Sequence, residues 1–250
     1  RFRWTDRTDG EDTDRSDLDL VGLQNELIRK VAASGKPTIL ILVNGRPLGV
    51  EWAAQHLPAI VETWAPGMYA GQAVAEILYG KVNPSAKLAI TIPRSVGQLQ
   101  MIYNHKPSQY FHPYAVKPST PLWPFGYGLS YTTYKYDDLK LSAKEVSQNQ
   151  NVEVSVKVTN TGQRDGVEIV QLYIRDKYSS VTRPVKELKD FARVALKAGE
   201  SKVVTFTITP DKLAFYDKKM KWIVEPGEFV VMAGASSADE SLLKETFILK

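Results

Sequence analysis

Cysteine is absent from the 250-residue chain, which excludes disulfides, thiol catalysis and cysteine-based zinc sites together. Histidine is scarce: the three present, His56, His105 and His112, are too scattered to form a recognisable metal motif, and no metal site is expected. No apolar run approaches the ~18 residues of a membrane-spanning helix. The chain opens at Arg1 with neither Met nor an apolar leader, so it reads as a soluble mature or truncated piece. Charge of one sign is also lacking: Lys and Arg total 32 against 28 Asp and Glu, a net of +4 that demands no nucleic-acid partner. What is present is ordinary for a packed protein, with 43% hydrophobic, 10% aromatic and 24% charged residues, and this excludes wholesale disorder, collagen and coiled coil.

Residues 1–19 carry no hydrophobic period and are dense in both charges, so they read as a loop, an odd opening that suggests missing sequence upstream. From Leu20 the pattern changes. Leu20, Leu23, Leu27, Ile28 and Val31 recur at helical spacing, Gly35 can end the helix and Pro37 prevents its continuation. TILILV at 38–43 lacks polar alternation, as expected of a parallel strand covered on both faces. A turn at Asn44-Gly45, a short helix over 50–56, a second buried strand at 59–61, a helix over 71–79 closed by Gly80 and a third strand at 88–92 follow. This alternation is the tail of an α/β layered domain whose opening strands are absent.

Between 93 and 136 Pro, Gly, His and Tyr dominate, and a loop of this length is either functional or a docking connector. Beyond it the period becomes two: Val152, Val154, Val156 and Val158 alternate with Glu153, Ser155 and Lys157, and further strands are expected at 169–174, 203–208, 220–224 and 229–233. Several short strands in ~100 residues suggest a seven-stranded β-sandwich of immunoglobulin or fibronectin type III kind, and the lack of cysteine fits the latter better. The expected architecture is α/β followed by all-β, with the first domain and its connector over 1–125 and the second over 126–250.

Seven collinear segments carry a resemblance. They are GEDTDRSDLDL at 10–20, GKPTILILVNGRPL at 35–48, YGKVNPSAKLAITIPRSVGQL at 79–99, PLWPFGYGLSYTTY at 121–134, VTNTGQRDGVEIVQLYI at 158–174, RPVKELKDFARVALKAGES at 183–201 and EPGEF at 225–229. Together they resemble the C-terminal part of glycoside hydrolase family 3, the β-glucosidase family, over nearly the whole chain. The resemblance implies the end of a six-stranded α/β sandwich domain joined to a fibronectin type III-like domain. It also implies an upstream β/α barrel bearing an Asp nucleophile as the partner domain.

The implied activity is retaining, exo-acting hydrolysis of terminal β-glucosyl residues from cellobiose or other β-glucosides, without a cofactor. Such chemistry needs two carboxyl groups ~5–5.5 Å apart, one attacking the anomeric carbon and the other protonating the leaving oxygen. The family places the acid/base Glu before an Arg-Ser/Thr-Asp element, which here makes Glu11 the candidate, with Asp9, Asp12 and Asp14 as competitors. Arg15 and Asp17 match the same element and are expected to hold the loop by an ion pair. Trp4 is a candidate wall for a sugar ring, or else core. Arg46, in the Asn-Gly-Arg-Pro turn at a strand's C-terminal end, is expected to support the acid/base loop.

His105, His112, Tyr103, Tyr110, Phe111 and Tyr114, and likewise Trp123, Phe125, Tyr127 and Tyr131, read as packing residues sooner than as a sugar-binding rim. The β domain shows no carboxylate pair or aromatic platform on one face and reads as scaffold. Departures from the family pattern are Tyr69, where many relatives carry Glu in Pro-Gly-x-Glu-Gly-Gly, and Lys81, Ala86 and Ala89 in place of Asp, Gly and Pro. Alternatives within the family are a β-xylosidase or broad-specificity β-glycosidase, and outside enzymes a non-catalytic carbohydrate-binding or cell-surface protein. Localisation to the periplasm or outside the cell is implied by the resemblance alone, and homo-oligomerisation stays open.

Overall fold

The computed structural model describes residues 15–107 and 114–250, which divide into two compact units. Among the described residues the first unit takes in 15–79, 92–101 and 114–123, and the second 80–91, 102–107 and 124–250. No helix among the described residues is long and apolar enough to cross a membrane.

The first unit alternates helix and strand as the sequence predicts: α1 (Gln24–Ala32), β1 (Ile39–Leu42), α2 (Glu51–His56), β2 (Ala59–Glu62) and α3 (Ala70–Leu78). Strands β1 and β2 pair in parallel with Leu42 opposite Glu62, so both point their C-terminal ends at the same edge. Gly35 follows α1 with φ +74, a left-handed conformation that stops a helix at little cost to glycine. Leu20, Leu42, Leu48, Val50 and Ala53 form the buried cluster, with Ile28, Leu40, Ile60 and Trp123 packed against it.

The structure departs from expectation in three places. The strands are not covered on both faces: Leu40 and Leu42 turn to the cluster, while Ile39, Ile41 and Val43 are exposed. The helical stripe Leu23, Leu27 and Val31 is likewise exposed, because the described residues supply only one apolar layer for this sheet and helix. Nor does a third strand form at 88–92. Ile92 makes only an isolated antiparallel bridge to Trp123, while Leu88 exchanges backbone bonds within the second unit, its amide donating to the Tyr127 carbonyl at 2.8 Å and its carbonyl accepting from the Gly126 amide at 2.7 Å. Short apolar runs do not reveal which partner will satisfy their backbone groups.

The second unit is a β-sandwich. One sheet has the order β3 (Tyr134–Leu141), β5 (Val152–Asn160), β8 (Ser201–Ile208), and the other β4 (Glu145–Val146), β12 (Leu242–Leu249), β11 (Gly227–Gly234), β6 (Gly166–Asp176), β7 (Glu187–Leu196). The valines of β5 face Val170, Leu172, Ile174, Phe229, Val231 and Phe247 across a shared core, as the period-two pattern requires. After α4 (Pro210–Leu213), strands β9 (Phe215–Tyr216) and β10 (Trp222–Ile223) make a small separate hairpin, shorter than the 220–224 strand expected.

Strand β6 is buried on both sides, which explains its run IVQLYI, apolar but for Gln171. Its outer side receives Tyr103 and Phe125: the Tyr103 ring stacks on Phe125 at 4.2 Å and meets Tyr173 edge-on at 5.8 Å. Gly126 permits this approach, since a Cβ there would fall 2.0 Å from Gln171 Oε1 and the backbone has φ +79. Nearby, Lys87 Nζ lies 3.2 Å from Glu168 Oε2 and the Tyr136 hydroxyl donates to Glu168 Oε1 at 2.8 Å, anchoring the 80–91 segment to the sandwich.

Candidate functional site

Parallel sheets concentrate loops at the strands' C-terminal ends, and the candidate residues of the first unit gather there. Of the residues singled out from the sequence, Glu11 and Trp4, with the competitors Asp9, Asp12 and Asp14, lie outside the described residues. Arg15, Asp17 and Arg46 are described and are brought together.

Arg15 Nη2 donates to Asp17 Oδ1 at 3.0 Å, and the Asp19 amide donates to the same oxygen at 3.1 Å. The Arg15 guanidinium beside Asp17 holds its carboxyl below the usual carboxylate range. Arg46 Nη1 reaches the Arg15 carbonyl at 3.4 Å, and the Gly49 amide donates to the Leu18 carbonyl at 2.7 Å. The segment 15–19 is therefore fastened at two backbone oxygens to the loop that follows β1. Leu18 and Leu20 bury their side chains and anchor it from beneath.

That second loop is itself held from β2, through residues the sequence alone did not single out for function. Asn44, almost fully buried, donates from Nδ2 to the Arg46 carbonyl at 2.6 Å and to Glu62 Oε2 at 3.3 Å. Glu62 Oε1 accepts from the Trp64 amide at 3.0 Å, and the Asn44 amide donates to the Trp64 carbonyl at 3.2 Å. Burial pushes the Glu62 carboxyl above its ordinary value, and the donors from Trp64, Asn44 and Thr63 only partly oppose this. Trp64 has φ +52, a left-handed conformation rare for a bulky residue and kept here by the bonds on either side of its peptide units. A carboxylate ending an otherwise apolar strand was the available signal for Glu62, but its side-chain partner Asn44 lies 18 residues away along the chain.

A second ionic knot lies in the same unit. Glu51, at the start of α2, pairs with Lys117 and with Arg94 Nη1 at 3.1 Å, and Lys117 foremost, with Arg94, lowers its carboxyl below the usual range. Both bases are used up by this acid and by the Thr120 carbonyl that Arg94 Nε meets at 2.9 Å, so the knot reads as bracing. Tyr69, just before α3, is exposed. His105 and the stacked Tyr103 and Phe125 belong to the second unit, and Tyr110, Phe111 and His112 lie outside the described residues.

With this geometry in place, comparison with known proteins is informative. The model of the glycosyl hydrolase family 3 C-terminal domain matches residues 2–131, and that of a fibronectin type III-like domain matches residues 168–237. A β-xylosidase of Formosa agariphila is 45% identical over 247 residues, spanning 98% of this chain and 34% of that protein. A periplasmic β-glucosidase of Salmonella typhimurium is 43% identical over 238 residues, spanning 91% of this chain and 31% of that protein. Among solved structures, the β-glucosidase EmGH1 of Erythrobacter marinus superimposes with a TM-score of 0.92 at 44% identity, over 96% of this chain and 32% of that one. The Listeria innocua β-glucosidase in complex with glucose gives 0.88 at 36% identity, over 96% of this chain and 34% of that one. The chain thus spans about a third of the length of the relatives it matches.

Proposed function

The chain belongs to glycosyl hydrolase family 3, and from that premise we propose that it is the C-terminal part of a retaining, exo-acting β-glucosidase to which it contributes the acid/base, Glu11. The nucleophile, an Asp, and most of the grip on the sugar come in this proposal from an upstream β/α barrel. The observation that carries it is the fastening of residues 15–19, immediately after the Glu11 segment, to the loop at the C-terminal end of β1, by Arg46 on the Arg15 carbonyl and the Gly49 amide on the Leu18 carbonyl. A general acid must be held within hydrogen-bond reach of one glycosidic oxygen, and a polar loop achieves that only when its stem is rigid.

Glu11 then protonates the departing oxygen while the barrel's carboxylate attacks the anomeric carbon, and afterwards, as carboxylate, takes a proton from the water that releases the sugar. In this proposal, closure against the barrel raises the Glu11 carboxyl enough to keep it protonated for the first step. The 45% identity to a β-xylosidase favours a second reading, the same mechanism on terminal β-xylosyl residues, and comparison of cellobiose with xylobiose decides between the two. The relative with a periplasmic name supports action in the periplasm or outside the cell.

The test is Glu11→Ala in the intact enzyme. Hydrolysis of cellobiose should fall ~10²–10⁴-fold, the usual worth of general acid–base help, while a dinitrophenyl glucoside, whose leaving group needs no proton, should lose far less in its first step. Azide should restore turnover by attacking the glycosyl-enzyme and yielding a β-glycosyl azide. Equal losses on both substrates without azide rescue would remove Glu11 from the role and pass it to Asp9, Asp12 or Asp14.

A further inference from the structure

Glu62 takes no part in the proposed hydrolysis, yet both of its oxygens are committed. Oε1 accepts from the Trp64 amide at 3.0 Å and Oε2 from Asn44 Nδ2 at 3.3 Å. A carboxylate only accepts, so it selects the nitrogen end of the Asn44 amide. The same nitrogen serves the Arg46 carbonyl at 2.6 Å. Turned the other way, Asn44 would set its oxygen against two acceptors, the Glu62 carboxylate and the Arg46 carbonyl, and the hold on residue 46 would be lost. The orientation matters downstream because Arg46 Nη1 grips the Arg15 carbonyl, and Arg15 lies four residues after Glu11 in the chain.

We infer that Glu62, acting through Asn44 and Arg46, is a positioning residue for the loop that carries Glu11. The inference rests on the acid/base reading of that loop. Placing a charge in a half-buried site is costly, and a neutral Gln would have avoided the cost while keeping one acceptor. Only an acceptor at both oxygens satisfies the Trp64 amide and the Asn44 nitrogen at once. Glu62 touches no reacting atom in this scheme: loosening it should let the general acid drift and leave the nucleophilic attack intact.

The experiment compares kcat/KM of the intact enzyme on cellobiose and on dinitrophenyl glucoside. Glu62→Ala should cost ~10–100-fold on cellobiose, the scale of a misplaced catalytic group, and no more than about twofold on the aryl substrate. Glu62→Gln, which keeps one acceptor, should fall between wild type and Glu62→Ala. Melting temperatures are read alongside, and if Glu62→Ala does not fold, Arg46→Met, which removes the last link without disturbing the strand end, must show the same selective loss. Equal losses on the two substrates, or none, in a folded variant overturn the positioning role. If Glu11→Ala itself shows no selectivity for leaving group, the acid/base reading falls instead, so the two failures are told apart.

Discussion

The two units bury their apolar residues to different degrees. In the β-sandwich, Val154, Val156, Val158, Val170, Leu172 and Val231 are 0% exposed, whereas in the α/β unit Leu23, just before α1, and Leu27 on it are 76% and 61% exposed. The physical cause is layer count. A sandwich carries both of its sheets in one stretch of chain and closes its own core, while a two-stranded parallel sheet needs helices or strands on each face and neighbours at its edges. The loops proposed to serve catalysis sit on the unit whose apolar surface is less covered among the described residues.

This contrast can be broken most severely from inside the sandwich. Phe229 stacks on Phe247 at 5.3 Å in the shared core, and Phe229→Ala should cost ~3–5 kcal/mol, visible as a large drop in the urea midpoint. A loss under ~1 kcal/mol would mean that this core is not packed as described. Next comes the buried pair on the 80–91 segment. Lys87→Ala strands the Glu168 carboxylate, 2% exposed, and should also cost ~3 kcal/mol or more. The double variant Lys87→Met with Glu168→Leu should recover much of it, because replacing a whole buried pair is far cheaper than halving it. If the single variant is silent, the pair is solvated and the segment is held by its other bonds, among them Asn83 Nδ2 to the Asp165 carbonyl at 3.0 Å.

The smallest effect on stability sharpens the contrast from the other side. Leu27→Ser with Val43→Thr on the exposed apolar surface should change the stability of this chain by less than ~0.5 kcal/mol per site, since each residue already faces water. The same pair should reduce binding of a hydrophobic dye and, in the intact enzyme, weaken the protein by more than it weakens the chain. Equal costs in both settings would show that nothing covers this surface in the enzyme.

Much of this was legible in the residue order. The period-two run from Val152 to Val158 set a strand and its buried face, Gly35 marked a helix stop, and the ion pair expected of Arg15 and Asp17 in the family-like element lies at 3.0 Å. Local chemistry suffices in these cases, because alternation, a left-handed turn and a two-residue reach are properties of neighbours in sequence.

Other features were not legible for the opposite reason. The run at 88–92 has the composition of a strand, yet its backbone groups found partners at Trp123 and at 126–127. The stripe of α1 has the period of a buried face, and periodicity cannot say whether anything lies against it. Nothing in the sequence ties Glu62 to Asn44, and only the parallel register sets the two side by side. The sequence by itself determined the elements whose signals lie among neighbours, such as β5 with its buried face and the stop after α1. Only the tertiary structure decided which distant groups share a hydrogen bond, since that depends on how separate segments are brought together and on the burial that makes a missing partner costly.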